Sequence, residues 1–192
     1  MKLLMHTCCA PCSVACVKQL RGEGIEPVSF WYNPNIHPFT EYRERRNCLR
    51  EYAKSIDLEL VEQDEYGLEK FVRAVCGDVS RRCHYCYAVR LGQAAKYAAE
   101  NGYDAFCTTL TVSPYQNTPL ILETGEKLAQ VFGVAFAPYD FSPHYHEGQE
   151  EARELGLYMQ KYCGCIFSEE DRYLGWKKRR KARQAARAAE ES

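Results

Sequence analysis

Seven of the eleven cysteines in this chain lie in three short clusters. Sulfur donors suit iron–sulfur clusters, zinc or copper better than magnesium or calcium, so the clusters predict a bound metal. Adjacent cysteines, and cysteines one residue apart, make strained disulfide partners, which argues against a simple disulfide framework. The clustered residues are Cys8, Cys9 and Cys12, then Cys83 and Cys86, then Cys163 and Cys165.

The number and spacing of these thiols leave several kinds of metal site open. Seven thiols exceed the four that one zinc ion or one 4Fe-4S cluster requires. A zinc ribbon would separate its two CxxC pairs by roughly 15–20 residues, whereas about 70 residues separate Cys12 from Cys83. A thioredoxin-type redox motif is compatible with either pair. Surplus thiols can bind a second metal or cycle as a dithiol, and a structural zinc beside scattered buried cysteines is the simplest alternative.

The remaining four cysteines occupy apolar positions of predicted helices or strands. Free cysteine is among the most buried residue types, so these four are expected to be buried and inert. They are Cys16, Cys48, Cys76 and Cys107.

Length and composition are those of one ordinary domain. A chain of 192 residues buries roughly 70% of its unfolded surface. The first residues lack the apolar length and the cleavage site of a secretory signal, and no apolar run approaches the ~18 residues of a membrane span. We therefore expect a monomeric, cytoplasmic protein without membrane contact. In a reducing compartment, clustered cysteines are more often ligands or catalysts than disulfides.

The net charge of −1 hides an uneven distribution of charge. Residues 177–187 contain seven basic residues and no acidic residue. This basic segment can contact phosphates and release their counterions, or it can be a solvated terminal helix. Other arginines favour a nucleic-acid partner: Arg43, Arg45, Arg46 and Arg50 on one predicted helix, and Arg81 and Arg82 beside a cysteine pair.

The chain alternates between predicted strands and helices. Strands are predicted at residues 2–6, 27–32, 58–61, 104–110 and 134–136 from apolar, β-branched and aromatic runs. Helical spacing of apolar residues predicts helices at 12–20, 40–55, 68–75, 85–100, 119–132, 147–155 and 169–188. This order predicts an α/β fold with a mostly parallel, Rossmann-like sheet flanked by helices. We expect one domain over residues 1–192, with a helical C-terminal tail from about residue 169.

The first cysteine cluster and a threonine-rich segment both follow predicted strands. Cys8 comes directly after the first strand, and the segment from Thr108 to Ser113 ends another. Because ligands bind beyond the carboxyl ends of strands in such folds, both segments should open on one crevice. The chain has no GxxxxGK[ST] loop, no GxGxxG after a strand and no HExxH, which disfavours a nucleotide-activating reaction.

Five segments occur in an order that is specific for one family. They are HTCCAPCS, FWYNPNIHP, SRRCHYCYAVRL, FCTTLTVSPYQN and YMQKYCGCIFS. Together they resemble the cobalamin-independent epoxyqueuosine reductases of the QueH type, over residues 2–168. The resemblance implies an iron–sulfur oxidoreductase that reduces the epoxide of epoxyqueuosine at the wobble position of tRNA. The implied partners are a tRNA with a queuosine-type anticodon and a separate electron donor.

The resemblance also implies roles for the clustered cysteines. The ligands of a 4Fe-4S cluster would be Cys8, Cys9, Cys83 and Cys86. Cys163 and Cys165 would form a redox-active dithiol or bind an additional iron ion. Cys12, where some relatives carry aspartate, would be a further ligand of that iron. Tyr115, His84 or a metal-bound water would protonate the departing oxygen.

Candidate substrate contacts lie near the predicted strand ends. Polar residues of suitable type for the base and the diol ring are Asn33, Asn35, Thr108, Thr109, Ser113, Gln116 and Asn117. Tyr32 or Trp31 can stack on a flipped-out base, although core packing is the alternative interpretation of both. His144 and His146 either bind metal or face solvent. In many relatives the corresponding loop is rich in lysine and arginine. The loop of this chain, SPHYHEGQEEAR, is not, which argues against a basic substrate contact there.

Two other functions stay compatible with the sequence. An iron–sulfur sulfur transferase would also act on tRNA, but an ATP-using one needs the phosphate loop that this chain lacks. A non-catalytic zinc module would hold a surface that binds tRNA or protein. ATP dependence and metal content distinguish these functions from a reductase.

Overall fold

The computed structural model describes residues 1–175. Its sheet has five strands, all parallel, in the order β3-β2-β1-β4-β5. They are β1 (Leu3–His6), β2 (Pro27–Trp31), β3 (Leu60–Glu62), β4 (Ala105–Thr108) and β5 (Ala135–Phe136). The predicted fold class, an α/β domain with a parallel sheet, is confirmed.

Seven helices connect and cover the strands within the described part of the chain. They are α1 (Ala10–Gly22), α2 (Phe39–Ser55), α3 (Leu68–Val75), α4 (Arg82–Glu100), α5 (Thr118–Phe132), α6 (Tyr145–Glu154) and α7 (Ile166–Tyr173). The basic segment at 177–187 and most of the predicted C-terminal helix lie outside the described residues. None of the helices within residues 1–175 is both long enough and apolar enough to cross a membrane.

The three central strands are fully buried. Strands covered by helices on both faces are apolar along their whole length rather than alternating, which explains the continuous run LLM in β1. In the register of the sheet, His6 at the end of β1 lies beside Phe30 of β2 and Thr108 of β4. Chain order reverses at β1, because β2 and β3 lie on one side and β4 and β5 on the other. The crevice beyond β1 and β4 is the position where such sheets bind ligands.

Close helix packing shapes the fold beside this crevice. A Cβ atom at Gly148 of α6 would lie 2.7 Å from the Cβ of Ala15 of α1, so only glycine allows this approach. α4 packs against α5 on one side and against β1 on the other. α1 and α4 thereby hold their N-terminal ends near the carboxyl end of β1.

The four unclustered cysteines are only partly as predicted. Cys16 and Cys107 are buried, as predicted. Cys48 is half-buried and accepts the backbone N–H of Tyr158 at its Sγ over 3.3 Å. Cys76 is exposed, because it follows the last turn of α3, and the prediction that it is buried is wrong.

Candidate metal centre and substrate site

The first cysteine cluster forms a tight group of thiols at the N-terminus of α1. The Sγ atoms of Cys8, Cys9 and Cys12 all lie within 4.8 Å of one another, and all three residues are buried. Within residues 1–175, this is the one group of three or more metal-binding side chains that is so close. A helix N-terminus favours thiolates, because its free N–H groups and dipole stabilise negative charge.

The environment of this cluster shifts the pKa values of its thiols in opposite directions. Hydrogen bonds from Cys12 and Cys9 hold the pKa of the Cys8 thiol well below its usual value, and Arg90 and Thr109 act in the same direction. Burial raises the pKa of Cys9 well above its usual value. Cys8 is therefore the sulfur most prepared to bind a metal as a thiolate.

The two threonines at the end of β4 hold the first cluster in place. Thr109 Oγ1 accepts the backbone N–H of Cys8 over 3.1 Å and donates to its Sγ over 3.3 Å. Thr108 Oγ1 caps the following turn by accepting the N–H of Leu110, and lies 2.9 Å from Nδ1 of His6. Both threonines, predicted as substrate contacts, are buried; Thr109 positions the cysteine loop, and Thr108 contacts His6 and the turn after β4.

The second cluster occupies the first turns of α4. The helix begins at Arg82, three residues before the predicted start at residue 85, and Arg82 forms an ion pair with Asp171 of α7 over 2.5 Å. Both cysteines lie on the helix: Cys86 is buried and Cys83 is half-buried. Burial raises the pKa of Cys86 to about 12, although Arg90 opposes that shift.

Arg90, one turn after Cys86, links the three clusters. Its guanidinium is fully buried, with Nη1 3.6 Å from Cys86 Sγ and Nη2 2.6 Å from Asn33 Oδ1. It interacts electrostatically with Cys86, Cys8 and Cys163, which belong to three different clusters. A buried positive charge is costly unless negative groups surround it. One thiol from each cluster is therefore near enough to this fixed cation to interact with it electrostatically, and Cys86 contacts it directly.

A second buried arginine holds the loop of the third cluster. Arg45 donates from Nη1 to the carbonyl of Cys163 and from Nη2 to the carbonyl of Tyr162, both over 2.9 Å. Its ion pair with Glu41 spans 2.6 Å and is also buried. Gly164 has φ +154, and its missing Cβ would lie 3.3 Å from Ile36 Cγ1, so the tight passage between Cys163 and Cys165 requires glycine.

Amide side chains approach two of the clustered sulfurs. Gln116 Nε2 donates to Cys163 Sγ over 3.1 Å, and Gln160 Nε2 donates to Cys12 Sγ over 3.4 Å. Tyr87 orients Gln116 by donating to its Oε1 over 2.7 Å. As residues, Cys163 is exposed and Cys165 is buried, but burial of the Cys163 thiol raises its pKa, so Cys163 lies at the edge of the site with its sulfur turned inward.

The predicted contacts in the loop after β2 occupy different environments. Trp31 is fully buried and donates to the Tyr42 hydroxyl over 3.3 Å, so its alternative as a core residue is confirmed. Asn33 is also fully buried and uses its amide on Arg90 and on the carbonyl of Thr7. Tyr32 and Asn35 line a cavity that also contains Cys86.

The predicted contacts after β4 lie along the rim of the site. Ser113 accepts the N–H of Tyr115, and Asn117 caps α5 by accepting the N–H of Leu120. Tyr115 is 82% exposed and touches the ring of Tyr145. His84 is exposed on the first turn of α4.

The arginines that suggested a nucleic-acid partner mostly form ion pairs. Besides Arg45 and Arg82, three of them pair with carboxylates on the surface of the domain. The pairs are Arg43 with Glu44, Arg46 with Asp64, and Arg50 with Glu62. Their charge is therefore largely neutralised within the domain.

Comparison with known proteins agrees with this arrangement. The family model described as "Epoxyqueuosine reductase QueH" matches residues 3–171, which include all three cysteine clusters and the threonines after β4. The chain belongs to the QueH family. The predicted family resemblance is thereby confirmed.

Curated QueH proteins are similar to the chain over most of its length. The protein named "Epoxyqueuosine reductase QueH" from Dehalococcoides mccartyi is 38% identical over 172 residues, which cover 90% of this chain and 94% of the relative. The protein of the same name from Thermotoga maritima is 36% identical over 176 residues, covering 86% and 89%. The protein of that name from Staphylococcus epidermidis is 31% identical, covering 96% and 83%.

Three residues at the QueH site were not predicted as residues of the site: Arg45, Arg90 and Gln160. Arg90 carried one usable signal, because it lies four residues after Cys86 and thus on the same helix face. Gln160 carried none, since its partner Cys12 lies 148 residues away in the sequence. Arg45 was expected to favour a nucleic-acid partner, and its contact with Cys163, 118 residues away, left no local signal.

Proposed function

We propose that this chain is an epoxyqueuosine reductase that acts on tRNA. It would convert the epoxide of epoxyqueuosine to the alkene of queuosine at the wobble position. Membership of the QueH family supports this activity. The observation that carries the proposal is Arg90, since this single buried cation interacts with a thiol from each of the three clusters.

The reaction sets requirements that the residues must meet. Removing the epoxide oxygen consumes two electrons and two protons and releases one water, while a carbon–carbon double bond forms. The electrons come from outside the chain, from a one-electron carrier. The site must therefore store electrons, orient the epoxide and supply protons.

The thiols of the site have the donor chemistry of an iron–sulfur centre. Four cysteines would hold a 4Fe-4S cluster: Cys8, Cys9, Cys83 and Cys86. Cys163 and Cys165 would bind an additional iron together with Cys12, or would cycle as a dithiol. A centre of this kind, when bound, supplies electrons one at a time. The buried guanidiniums of Arg90 and Arg45 fit it, because thiolate-bound iron carries negative charge that needs compensation.

The protein's own groups orient and shield this site. Thr109 fixes the position of Cys8, and Arg45 fixes the loop of Cys163 through two carbonyls. Cys8, Cys9, Cys12, Cys86 and Cys165 are buried, so they are shielded from bulk water. The exposed Cys163, with its neighbour Gln116, marks the side from which the nucleoside would approach.

A proton donor would stand on the same rim. Tyr115, next to Gln116 in the chain, is our candidate because it is an exposed residue on this rim. His84 is the alternative donor, on the first turn of α4.

Metal and sulfide analysis of anaerobically prepared protein tests the proposal together with an assay on tRNA that contains epoxyqueuosine. We expect a brown protein whose broad absorption bleaches on reduction with dithionite, and conversion of epoxyqueuosine to queuosine without ATP. Colourless protein that contains only zinc would contradict the proposal. A requirement for ATP would point to the sulfur transferase instead.

A further inference from the structure

A cavity of about 220 Å³ lies beside the cysteine site. Its wall is formed by the loop after β2, the segment before α3 and the first turns of α4. The side chains that matter here are Tyr32, Asn35, Glu65, Tyr85 and Cys86. Because Cys86 is one of them, a molecule in the cavity lies next to the candidate metal ligands.

The side-chain amide of Asn35 has no partner within the described protein. The residue is only 3% exposed, and neither its Oδ1 nor its Nδ2 forms a hydrogen bond. Leaving one buried polar group unsatisfied costs about 1–3 kcal/mol, so two such atoms on one side chain are uncommon. An amide with one free donor and one free acceptor, at the edge of a cavity, indicates a polar ligand.

The other residues that line the cavity indicate the shape and charge of the ligand that would fit it. Tyr32 and Tyr85 are half-buried aromatic residues, a surface suited to a flat ring. The Tyr32 hydroxyl donates to Glu65 Oε2 over 3.2 Å, and Lys70 Nζ donates to Glu65 Oε1 over 2.6 Å. Glu65 is therefore a fixed carboxylate at the cavity, ready to accept N–H groups.

We propose that this cavity binds the 7-deazaguanine base of epoxyqueuosine, an inference that rests on the proposed function. A guanine-type edge presents N–H donors and one carbonyl acceptor. The donors would bind Glu65 and the Asn35 oxygen, and the carbonyl would accept from the Asn35 Nδ2. An adenine-type edge would place a ring acceptor against the carboxylate and be rejected. Because Cys86 lines the cavity, a base bound there would place the epoxide ring of the substrate near the thiols.

Calorimetric titration of the full chain with two free bases, 7-deazaguanine and 7-deazaadenine, tests the cavity directly. We expect 7-deazaguanine to bind with a Kd of about 1 mM or tighter, and 7-deazaadenine to bind at least tenfold more weakly. Asn35→Leu and Glu65→Gln should each weaken 7-deazaguanine at least tenfold. Asn101→Leu is the matched control, because Asn101 lies at the other end of the sheet, beside Lys2. If Asn35→Leu fails to fold, Glu65→Gln still tests the cavity.

The same variants are then assayed for turnover, which separates the cavity from the proposed function. Asn35→Leu should raise KM for epoxyqueuosine-containing tRNA at least tenfold and leave the iron content unchanged. If wild type turns over but binds no 7-deazaguanine, or Asn35→Leu matches Asn101→Leu, the cavity proposal is overturned and the reductase stands. If base binding depends on Asn35 but no turnover occurs, the cavity stands and the reductase assignment falls. Equal affinity for both bases would overturn guanine-type recognition.

Discussion

Gln116 places its side-chain Nε2 3.1 Å from the Sγ of Cys163. Tyr87 fixes the direction of that amide by donating to its oxygen over 2.7 Å. The thiol of Cys163, the exposed residue of the third cluster, thus faces a held hydrogen-bond donor. Donors of this kind stabilise a thiolate or a metal-bound sulfur more than a neutral thiol.

Replacing Gln116 by Leu removes this donor at nearly constant side-chain size. A hydrogen bond to a charged group contributes ~1.5–3 kcal/mol, so we expect kcat to fall at least about tenfold. Single-turnover assays of the anaerobic protein measure the effect. Tyr87→Phe, which frees the amide without removing it, should produce a smaller loss in the same direction. Equal kcat in all three proteins would show that the contact has no role in turnover.

Replacing Cys163 by Ser separates the two proposed centres. Because Cys163 is assigned to the second iron or to a dithiol, we expect the absorption of the 4Fe-4S cluster to persist while turnover is lost. Iron and sulfide counts together with the tRNA assay measure both properties. Cys76→Ser is the matched control, since Cys76 is exposed at the end of α3, outside the clusters. Loss of the cluster in Cys163→Ser would mean that the ligands are divided differently.

Removing the charge of Arg90 should alter the reduction potential of the bound centre. Reduction adds negative charge, which the nearby guanidinium stabilises, so Arg90→Met should lower the midpoint potential. Arg90→Lys keeps the charge but loses the bond to Asn33, and its potential should stay closer to that of wild type. Potentiometric titration followed by absorption distinguishes the two variants. Arg90→Met should also unfold more easily, by about 3–5 kcal/mol, because buried negative groups lose their partner.

His37 makes stability depend on pH. It is fully buried, and burial lowers its pKa from 6.5 to about 4. An unfolded chain binds this proton more readily, so the contribution of neutral His37 to stability is complete above pH 6.5 and is lost as the pH falls toward 4.

Urea unfolding of the metal-free protein between pH 4 and pH 7 tests this dependence against His37→Leu. The free energy of unfolding of wild type should fall relative to the variant as the pH decreases, by at most ~1.4 kcal/mol per pH unit. Parallel curves would show that His37 does not titrate in this range.

The basic segment at 177–187 leads us to predict how tRNA affinity depends on salt concentration. If its seven cations contact tRNA phosphates, deleting residues 176–192 should weaken binding and reduce the slope of log affinity against log salt. Affinity measured at several salt concentrations for both chains tests this. An unchanged slope would assign the phosphate contacts to other residues.

Local sequence patterns predict the order of strands and helices correctly. They predict the first and last residues of these elements less accurately. The predicted helix at 68–75 matches α3, because its apolar face has a clear helical period. The start of α4 is wrong by three residues, since Arg82 is held in the helix by Asp171, which lies 89 residues away. Local propensity contains no information about such a partner.

The sequence also predicted that the first three clustered thiols lie together, but not what surrounds them. Cysteine spacing is a property of neighbouring residues, so Cys8, Cys9 and Cys12 were recognisable without a structure. Arginine in a sequence indicates charge but not whether that charge is buried. Arg46 and Arg50 are paired by carboxylates near β3, and only the folded chain reveals these pairs. The pairing of Arg45 with Glu41 follows from their i,i+4 spacing on the predicted helix, but the burial of that pair does not.

The separation in sequence between Cys12 and Cys163 has a consequence for biosynthesis. A ribosome adds roughly 5–20 residues per second, so about 150 residues take on the order of ten to thirty seconds. During that interval the early thiols are translated without the late ones, and Arg45 has no loop to hold. Delivery of the additional iron proposed at Cys12, Cys163 and Cys165 would therefore follow synthesis of almost the entire polypeptide, and a truncated product would expose reactive thiols to oxidants.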